Sequence, residues 1–184
     1  LTGDYTCQFY PYDSAEFQTL DPLKVSCKYF DQDFEDFSTC DDWWNIPTPN
    51  FSQILDFQRL PEEVQRWAFV LGGRLCYEVG ELDGFQVMPF FKGIARSGKS
   101  TAINDVFKQF YEIEDVKTLS NNVEKKFGLS SIYDGLLFVA PEIRGSMALE
   151  QAEFQSIVSG ESVSIAVKHE KAKSLVWTTP GVMG

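Results

Sequence analysis

Residues 90–101 read FFKGIARSGKST, and this stretch decides how the second half of the chain is interpreted. It contains the spacing G-x-x-x-x-G-K-[ST], in which glycines let backbone N–H groups curl round phosphate groups. Lys99 would place a positive charge on the phosphates, and Ser100 would supply a hydroxyl to Mg²⁺. We therefore predict a phosphate-binding loop with these members: Gly93, Ile94, Ala95, Arg96, Ser97, Gly98, Lys99, Ser100 and Thr101.

The residues on either side of the loop fit this interpretation. A short apolar run precedes it, and the strand is expected over 90–92 because Pro89 is awkward inside a central strand. Apolar residues then recur at i, i+3, i+4 and i+7, which predicts an amphipathic helix with its positive end directed at the anion. These residues are Ile103, Val106, Phe107 and Phe110.

A nucleotide-hydrolysing site needs a second element, an acid at the end of a buried strand. The stretch GLLFVAPE, residues 135–142, provides Glu142 as a candidate Mg²⁺ ligand and water-orienting group. The usual second acid is missing, because Ala140 and Pro141 stand before it. The alternative is that Glu142 is only a polar residue at the exit of a core strand.

Strand and helix patterns alternate through the second half, which predicts an α/β fold with a parallel sheet. DVKTLS (115–120) is a candidate strand, NNVEKKFG (121–128) a short helix, and ALEQAEFQSIVSG (148–160) a helix ending at Gly160. The runs 162–167 and 173–180 form a hairpin, or else the second is a central strand. We count three or four strands where about five are expected, so the domain is expected to be cut short at Gly184.

The first half has a different character. Residues 1–40 are acidic and aromatic and are expected to be irregular, with one short strand over Val25–Phe30. Helical signals follow over 50–80, with Asn50 as the N-cap of the first helix and Pro61 in the first turn of the second. This gives three predicted parts: an N-terminal segment (1–40), a helical region (41–84) and a nucleotide-binding core (85–184).

Composition narrows the function classes. The net charge of −11 lies entirely in residues 1–84, whereas residues 85–184 are balanced. The acidic half is therefore unsuited to gripping nucleic acid. The four cysteines are irregularly spaced and are expected to be free thiols, and no apolar run is long enough to span a membrane.

The segments 85–101, 118–145 and 158–184, together with 43–84, resemble in order the superfamily 3 helicase domain of viral primase-helicases, of the poxvirus-like group of large DNA viruses. The resemblance implies an incomplete P-loop AAA+-type sheet preceded by a small helical region. It also implies ATP and Mg²⁺ as cofactors, single-stranded DNA as a partner, a hexameric ring, and an intracellular viral replication site. Lys99 and Glu142 would be catalytic, with Ser100 and Glu142 on the metal.

In that family a hairpin contacts DNA, and AVKHEKAK, residues 166–173, matches it. The resemblance assigns the DNA contact to Lys168, His169, Lys171 and Lys173. Three of these lysines fall within six residues, which agrees with a phosphate-contacting tip. The alternative is a solvated surface turn.

Other functions remain open at this stage. A P-loop nucleotide kinase or signalling NTPase would share the loop without a DNA role. A piece that keeps the fold for oligomerisation without activity is a third reading. The resemblance also implies a sensor asparagine and an arginine finger from a neighbouring subunit, neither of which is identified in this sequence.

Overall fold

The computed structural model describes residues 14–20, 37, 39–120, 127–143, 149–167 and 171–184. The chain divides into two compact units, Leu1–Ile46 and Pro47–Gly184. The strand predicted over Val25–Phe30 and most of the helix predicted over 121–128 lie outside the described residues. The three predicted parts of the chain stay a prediction.

The described part of the first unit contains two short helices. Helix α1 spans Ala15–Gln18, and the Ser14 side chain accepts a hydrogen bond from Phe17 N at its start. A 3-10 turn follows at Trp43–Asn45, where Asp42 caps Trp44 N in the same way. Both turns begin as short polar N-caps predict, because the side-chain oxygen satisfies an otherwise unpaired backbone donor.

The second unit opens with helix α2 (Pro49–Phe57) and helix α3 (Glu62–Gly73), and α3 continues as a 3-10 turn, Arg74–Cys76. The predicted N-cap Asn50 is wrong, since Pro49 takes the first helical position and Thr48 the N-cap position. Proline suits that place because it lacks an N–H that would be unsatisfied there anyway. Pro61 is likewise the N-cap residue of α3 rather than a member of its first turn.

Helix α3 leaves some of its apolar residues exposed, and the buried residues lie towards its C-terminal end. Val64 and Trp67 are each 45% exposed, whereas Gly72 and Leu75 are buried. The inward face includes Gly72 because α3 approaches the ring of Phe107 closely. A Cβ added at Gly72 would lie 2.7 Å from Phe107 Cε1.

The described residues form a parallel sheet of three strands: β1 (Val116–Thr118), β2 (Leu137–Ala140) and β5 (Gly181–Met183). The spatial order is β1-β2-β5, and Phe90 adds a parallel bridge to Met183 on the free side of β5. The predicted parallel α/β arrangement is confirmed at this level. The strand predicted over 90–92 is reduced to that single bridge, next to Pro89, which has no N–H for a ladder.

A second, two-stranded antiparallel sheet joins β3 (Ser162–Ile165) to β4 (Lys173–Val176). The structure thus selects the hairpin over a central strand for residues 173–176. Helix α4 (Gln151–Ser159) precedes it and ends at Gly160, whose φ of 71° is left-handed. That glycine is the predicted helix end, and its conformation is the usual one at this position.

The core lies between the parallel sheet, α4 and the hairpin. Every residue of β2 is buried, as a strand covered on both faces must be. Trp177 is 1% exposed and packs edge to face against Phe138, with ring centroids 6.1 Å apart. Gly181 contacts the Phe138 ring so closely that a Cβ there would overlap it. These contacts fix β5 beside β2.

Candidate functional site: a glycine loop at the carboxyl edge of the sheet

The chain enters the glycine loop from the edge of the parallel sheet. Phe91 N donates to Met183 O at 2.8 Å, and Met183 N donates to Pro89 O at 3.0 Å. The helix after the loop starts at residue 99, and Ala102 N donates to Gly98 O at 3.0 Å. The loop is therefore anchored at both ends, as a strand–loop–helix phosphate site requires.

The helix that follows, called here the loop helix (residues 99–110), confirms the predicted apolar face. Ile103 is 0% and Phe107 2% exposed. Its geometry differs from a plain α-helix, because Thr101–Val106 is π-helical and Phe107–Phe110 is a 3-10 turn. Phe107 contacts the rings of Phe51 and Phe91, so it joins the loop helix to α2 and to the sheet edge.

Both motif glycines are required by geometry. A Cβ on Gly93 would lie 2.6 Å from Ser97 Oγ, which real Cβ atoms essentially never approach so closely. Gly98 has φ 84°, a left-handed conformation that L side chains rarely adopt. The loop is thus folded back on itself, so that its first and fifth residues touch.

Lys99 is held by the loop backbone. Its Nζ donates to Gly93 O and to Ile94 O, each at 2.9 Å. An ammonium has three N–H donors, so these two carbonyls fix its position and leave one donor for an external acceptor. A phosphate oxygen is such an acceptor, and the geometry of Lys99 therefore fits the predicted anion.

The remaining loop residues differ in exposure. Ile94 is 83% exposed, and the other exposed members are Ala95, Arg96, Ser100 and Thr101. Ser97 Oγ is the exception: within the described residues it is a buried side-chain oxygen with no hydrogen-bond partner. An unpaired buried hydroxyl costs about 1–3 kcal/mol. The unpaired Ser97 hydroxyl therefore lowers the stability of the loop in this conformation.

Glu142 follows β2 at the same edge of the sheet as the loop. Gly184 links the two segments, because Gly184 N donates to Ala140 O and Ile143 N donates to Gly184 O, both at 2.9 Å. A Cβ added to Gly184 would lie 3.4 Å from Pro141 O and 3.6 Å from Phe91 O. Carboxyl ends of parallel strands form the usual ligand crevice of open α/β sheets. The structure thus places the strand ends that precede the predicted acid and the predicted loop at the same edge of the sheet.

The predicted DNA-contacting residues are only partly described. Lys171 and Lys173 are exposed at the start of β4, and Lys173 stands opposite Ile165 in the hairpin register. Lys168 and His169 lie outside the described residues. The hairpin itself is confirmed, and its contact with DNA stays a prediction.

The turn at Gln58 and Arg59 lies beside the loop, and the sequence did not predict it. Gln58, at the C-terminal end of α2, places Nε2 3.6 Å from the Cβ position of Gly98. The next residue, Arg59, has φ 53°. A left-handed arginine leaves no trace in hydrophobic periodicity, so no local pattern could have placed this turn beside the loop.

A second missed feature is the ion-pair cluster of Arg74, Asp83 and Tyr77. Arg74 donates to both Asp83 oxygens, with Nε–Oδ2 2.9 Å and Nη2–Oδ1 2.6 Å, and to the carbonyls of Phe85 and Val87. Tyr77 OH donates to Asp83 Oδ2 at 2.8 Å. The Arg74 hydrogen bonds hold the pKa of Asp83 well below its usual range. Burial, aided by the bond to Asp83, raises the pKa of Tyr77 to about 12.

The donor set also bears on metal binding. No group of three or more His, Cys, Asp or Glu side chains suited to a metal occurs among the residues with described positions. A magnesium ion bound with a nucleotide uses one or two protein ligands, phosphate oxygens and water, so it needs no such group. Ser100 and Glu142 are the residues that would hold it.

The described residues thus form an α/β fold in which a glycine loop lies at the carboxyl edge of a small parallel sheet. The sequence model of a family of unknown function, DUF5906, matches residues 91–182, and the chain belongs to that family. The match begins just before the loop and ends within β5, so it contains the loop, Glu142 and the hairpin. No curated protein matches the chain. In the described part of the chain, no helix combines the length and apolar character needed to cross a membrane.

Proposed function

We propose that the chain is the ATP-hydrolysing module of a viral DNA replication helicase, which translocates on single-stranded DNA as part of a homo-oligomeric ring. The observation that supports the nucleotide half is the position of Lys99, whose Nζ donates to Gly93 O and Ile94 O in a loop at the sheet edge where β2 ends before Glu142. The DNA half rests on the sequence resemblance and on the lysine-bearing hairpin.

The proposed chemistry assigns one task to each residue. Lys99 directs its remaining N–H at the phosphate oxygens and stabilises the negative charge that grows on them during transfer. Ser100 Oγ would ligate Mg²⁺, and Glu142 would position the metal's water shell or accept a proton from the attacking water. ATP would supply the phosphoanhydride bond that breaks, with ADP as the leaving group, and Mg²⁺ would neutralise the phosphate charge. A single carboxylate serves both acid roles in this scheme.

The proposed DNA contact uses the end of the hairpin. Lys171 and Lys173 are exposed beside the turn, and Lys168 and His169 belong to the same segment of sequence. A few phosphate contacts per subunit, repeated round a ring, suffice to hold a single strand. The strand would then be gripped by the balanced half of the chain rather than by its acidic half.

The second candidate is a nucleotide kinase or signalling NTPase without a DNA role. The same loop and the same Glu142 position favour it equally, because neither reports on the second substrate. The two candidates differ in whether nucleic acid changes turnover.

DNA-stimulated hydrolysis of ATP separates them. We expect single-stranded DNA to raise the ATPase rate of the chain or of a longer protein that contains it. Lys99→Ala should abolish turnover with and without DNA. The pair Lys168→Ala and His169→Ala should weaken DNA binding while leaving the DNA-free rate unchanged, and Lys117→Ala, outside the hairpin, serves as the matched control.

An ATPase rate indifferent to DNA, together with DNA binding unaffected by the hairpin substitutions, would reject the helicase assignment and favour the kinase or signalling class. A nucleotide affinity unaffected by Lys99→Ala would reject both candidates.

A further inference from the structure

We propose that Arg59, from the turn between α2 and α3, contacts the phosphate chain of the nucleotide bound in the glycine loop. This inference rests on the proposed nucleotide binding and adds to it a residue that lies outside the loop motif, 34 positions before Gly93 by residue number. Three observations converge on Arg59: its backbone conformation, the state of its guanidinium, and the contact that its neighbour makes with the loop.

The backbone observation concerns the left-handed residues. Among the described residues, the non-glycine positions with positive φ are Arg59, at 53°, and Arg96, at 64°. Both are arginines, although glycine or asparagine adopts this conformation at much lower cost. Arg59 directly follows the C-cap of α2, where a left-handed residue is common but is usually glycine, so an arginine there carries strain of the kind that also occurs at ligand clamps. Arg96 is one of these two arginines, and its position in the sequence places it inside the glycine loop.

The described arginines differ in whether their side chains form ion pairs. Arg66 pairs with Glu62 at 2.9 Å, and Arg74 pairs with Asp83. The guanidinium groups of Arg59 and Arg96 have no hydrogen-bond or ion-pair partner among the residues whose positions are described. Of the four arginines that the structure describes, the two left-handed ones are thus those whose planar donor forks stay available for an anion.

The neighbouring acid is already engaged. Asp56, one turn before Arg59, accepts Gln65 Nε2 at 3.1 Å, and the same Nε2 donates to Leu60 O at 3.0 Å. Arg59 N donates to Asp56 O at 2.8 Å and closes the turn. The turn is therefore pinned on both sides of Arg59 without any use of its side chain.

The position of the turn supplies the third observation. Gln58 Nε2 lies 3.6 Å from the Cβ position of Gly98, the loop residue that precedes Lys99. Across a trans peptide, the Cα atoms of Gln58 and Arg59 are only about 3.8 Å apart. A long side chain on a rigid turn beside the loop can approach the same phosphates as Lys99. Guanidinium binds phosphate oxygens through two parallel N–H bonds, which a lysine cannot do.

The test measures binding, not turnover, on the whole 184-residue chain. A fluorescent ATP analogue is displaced by ATP and, separately, by inorganic tripolyphosphate, which has no base or sugar. Arg59→Gly removes the guanidinium and relieves the left-handed strain. Arg59→Lys keeps the charge without the fork, and Arg66→Gln is the matched control from α3.

For Arg59→Gly we expect both affinities to fall by about tenfold, since a hydrogen bond to a charged group contributes at least that much. Its melting temperature should rise by about 2–4 °C, because the turn becomes less strained. Arg59→Lys should lie between the wild type and Arg59→Gly in affinity, and Arg66→Gln should match the wild type. Weaker binding by a more stable protein is the signature of a ligand contact and not of a structural role.

Four outcomes contradict the proposal. If Arg59→Gly binds both competitors like the wild type while Lys99→Ala binds both much more weakly, the nucleotide site stands and Arg59 is not part of it. A loss for ATP alone would assign Arg59 to the base or sugar. A loss accompanied by a lower melting temperature would assign it to the fold. If the wild type binds neither competitor, the proposed function fails, and this inference fails with it.

Discussion

Two cationic regions of the second unit differ in whether their polar side chains find hydrogen-bond partners among other side chains. Around Arg74, every strong donor finds an acceptor: Asp83 takes two hydrogen bonds from the guanidinium and one from Tyr77. Around the glycine loop, Lys99 is met only by backbone carbonyls, and Ser97 Oγ has no partner within the described residues. A charged side chain whose hydrogen bonds are all made within the chain stabilises the fold. A charged side chain that is held in position with a donor unused can bind a ligand.

The two regions also differ in how the backbone behaves. The Arg74 cluster closes the segment 77–88 with side-chain bonds to the carbonyls of Phe85 and Val87. The loop region instead holds Arg96 and Gly98 in left-handed conformations. We therefore expect substitutions near Arg74 to change stability and substitutions in the loop to change nucleotide affinity.

The largest expected effect is on the loop side. Lys99→Ala should lower nucleotide affinity by about 100-fold, because hydrogen bonds from a charged donor contribute about 1.5–3 kcal/mol. The melting temperature should change little, since the partners released are exposed carbonyls that water can satisfy. Calorimetric titration and thermal melting measure the two quantities, and Lys117→Ala is the control. A large loss of stability would mean that Lys99 belongs with the Arg74 type of charge.

The mirror experiment is on the Arg74 side. Arg74→Met should lower the free energy of unfolding by about 2–3 kcal/mol, because Asp83 and two carbonyls lose a charged partner. Nucleotide affinity should be unchanged. Arg66→Met, which breaks an exposed pair on the helix surface, should cost less than about 0.5 kcal/mol. Chemical denaturation gives these free energies of unfolding. Equal losses for Arg74→Met and Arg66→Met would show that the Arg74 cluster stabilises the fold no more than an exposed ion pair does.

Two adjacent glycines of α3 test whether the regions can be disturbed separately. Gly72→Ala should destabilise by about 1–3 kcal/mol through overpacking, because the new Cβ meets the Phe107 ring of the loop helix. Gly73→Ala should stabilise by about 0.5–1 kcal/mol, since nothing lies within 4 Å and alanine favours a helix. Opposite signs in denaturation would confirm that Phe107 is the contact that matters, and identical signs would contradict it.

The smallest expected effect is a dependence on pH that comes from Tyr77. Its pKa is raised from 10.0 to about 12 in the folded chain, so the neutral phenol is favoured by folding. That contribution to stability is fully present below pH 10 and is lost as the pH rises from about 10 to about 12. Burial also raises the pKa of Tyr111, so Tyr77→Phe should reduce this decline without removing it, whereas nucleotide-loop substitutions such as Lys99→Ala should leave it unchanged. A decline equal to that of the wild type in Tyr77→Phe would contradict the role of Tyr77.

Local patterns predicted the parts of the site that are local. The loop spacing placed Gly93, Gly98 and Lys99 correctly because the motif encodes its own turn. The buried run of β2 and the helix ending at Gly160 were likewise readable from consecutive residues. The roles assigned to these residues stay predictions.

What the sequence could not show depends on contacts between distant segments. Strand β5 has only three residues, and its place is set by pairing with β2 on one side and with Phe90 on the other. The Arg74–Asp83 pair and the approach of Gln58 to Gly98 are likewise set by tertiary packing. Asn50 shows the converse error, in which a good N-cap residue was displaced because proline fits the first helical position better.

The place of β5 has a consequence for how the chain is made. On a ribosome, the segment around Phe90 emerges about ninety residues before Met183, its partner in the sheet. At roughly 5–20 residues per second, this leaves the glycine loop without its anchoring strand for several seconds. Closing so long a span also slows folding after release. The nascent chain therefore has a built-in interval in which a chaperone, or an early-arriving nucleotide, would meet a loop that is not yet attached to its sheet.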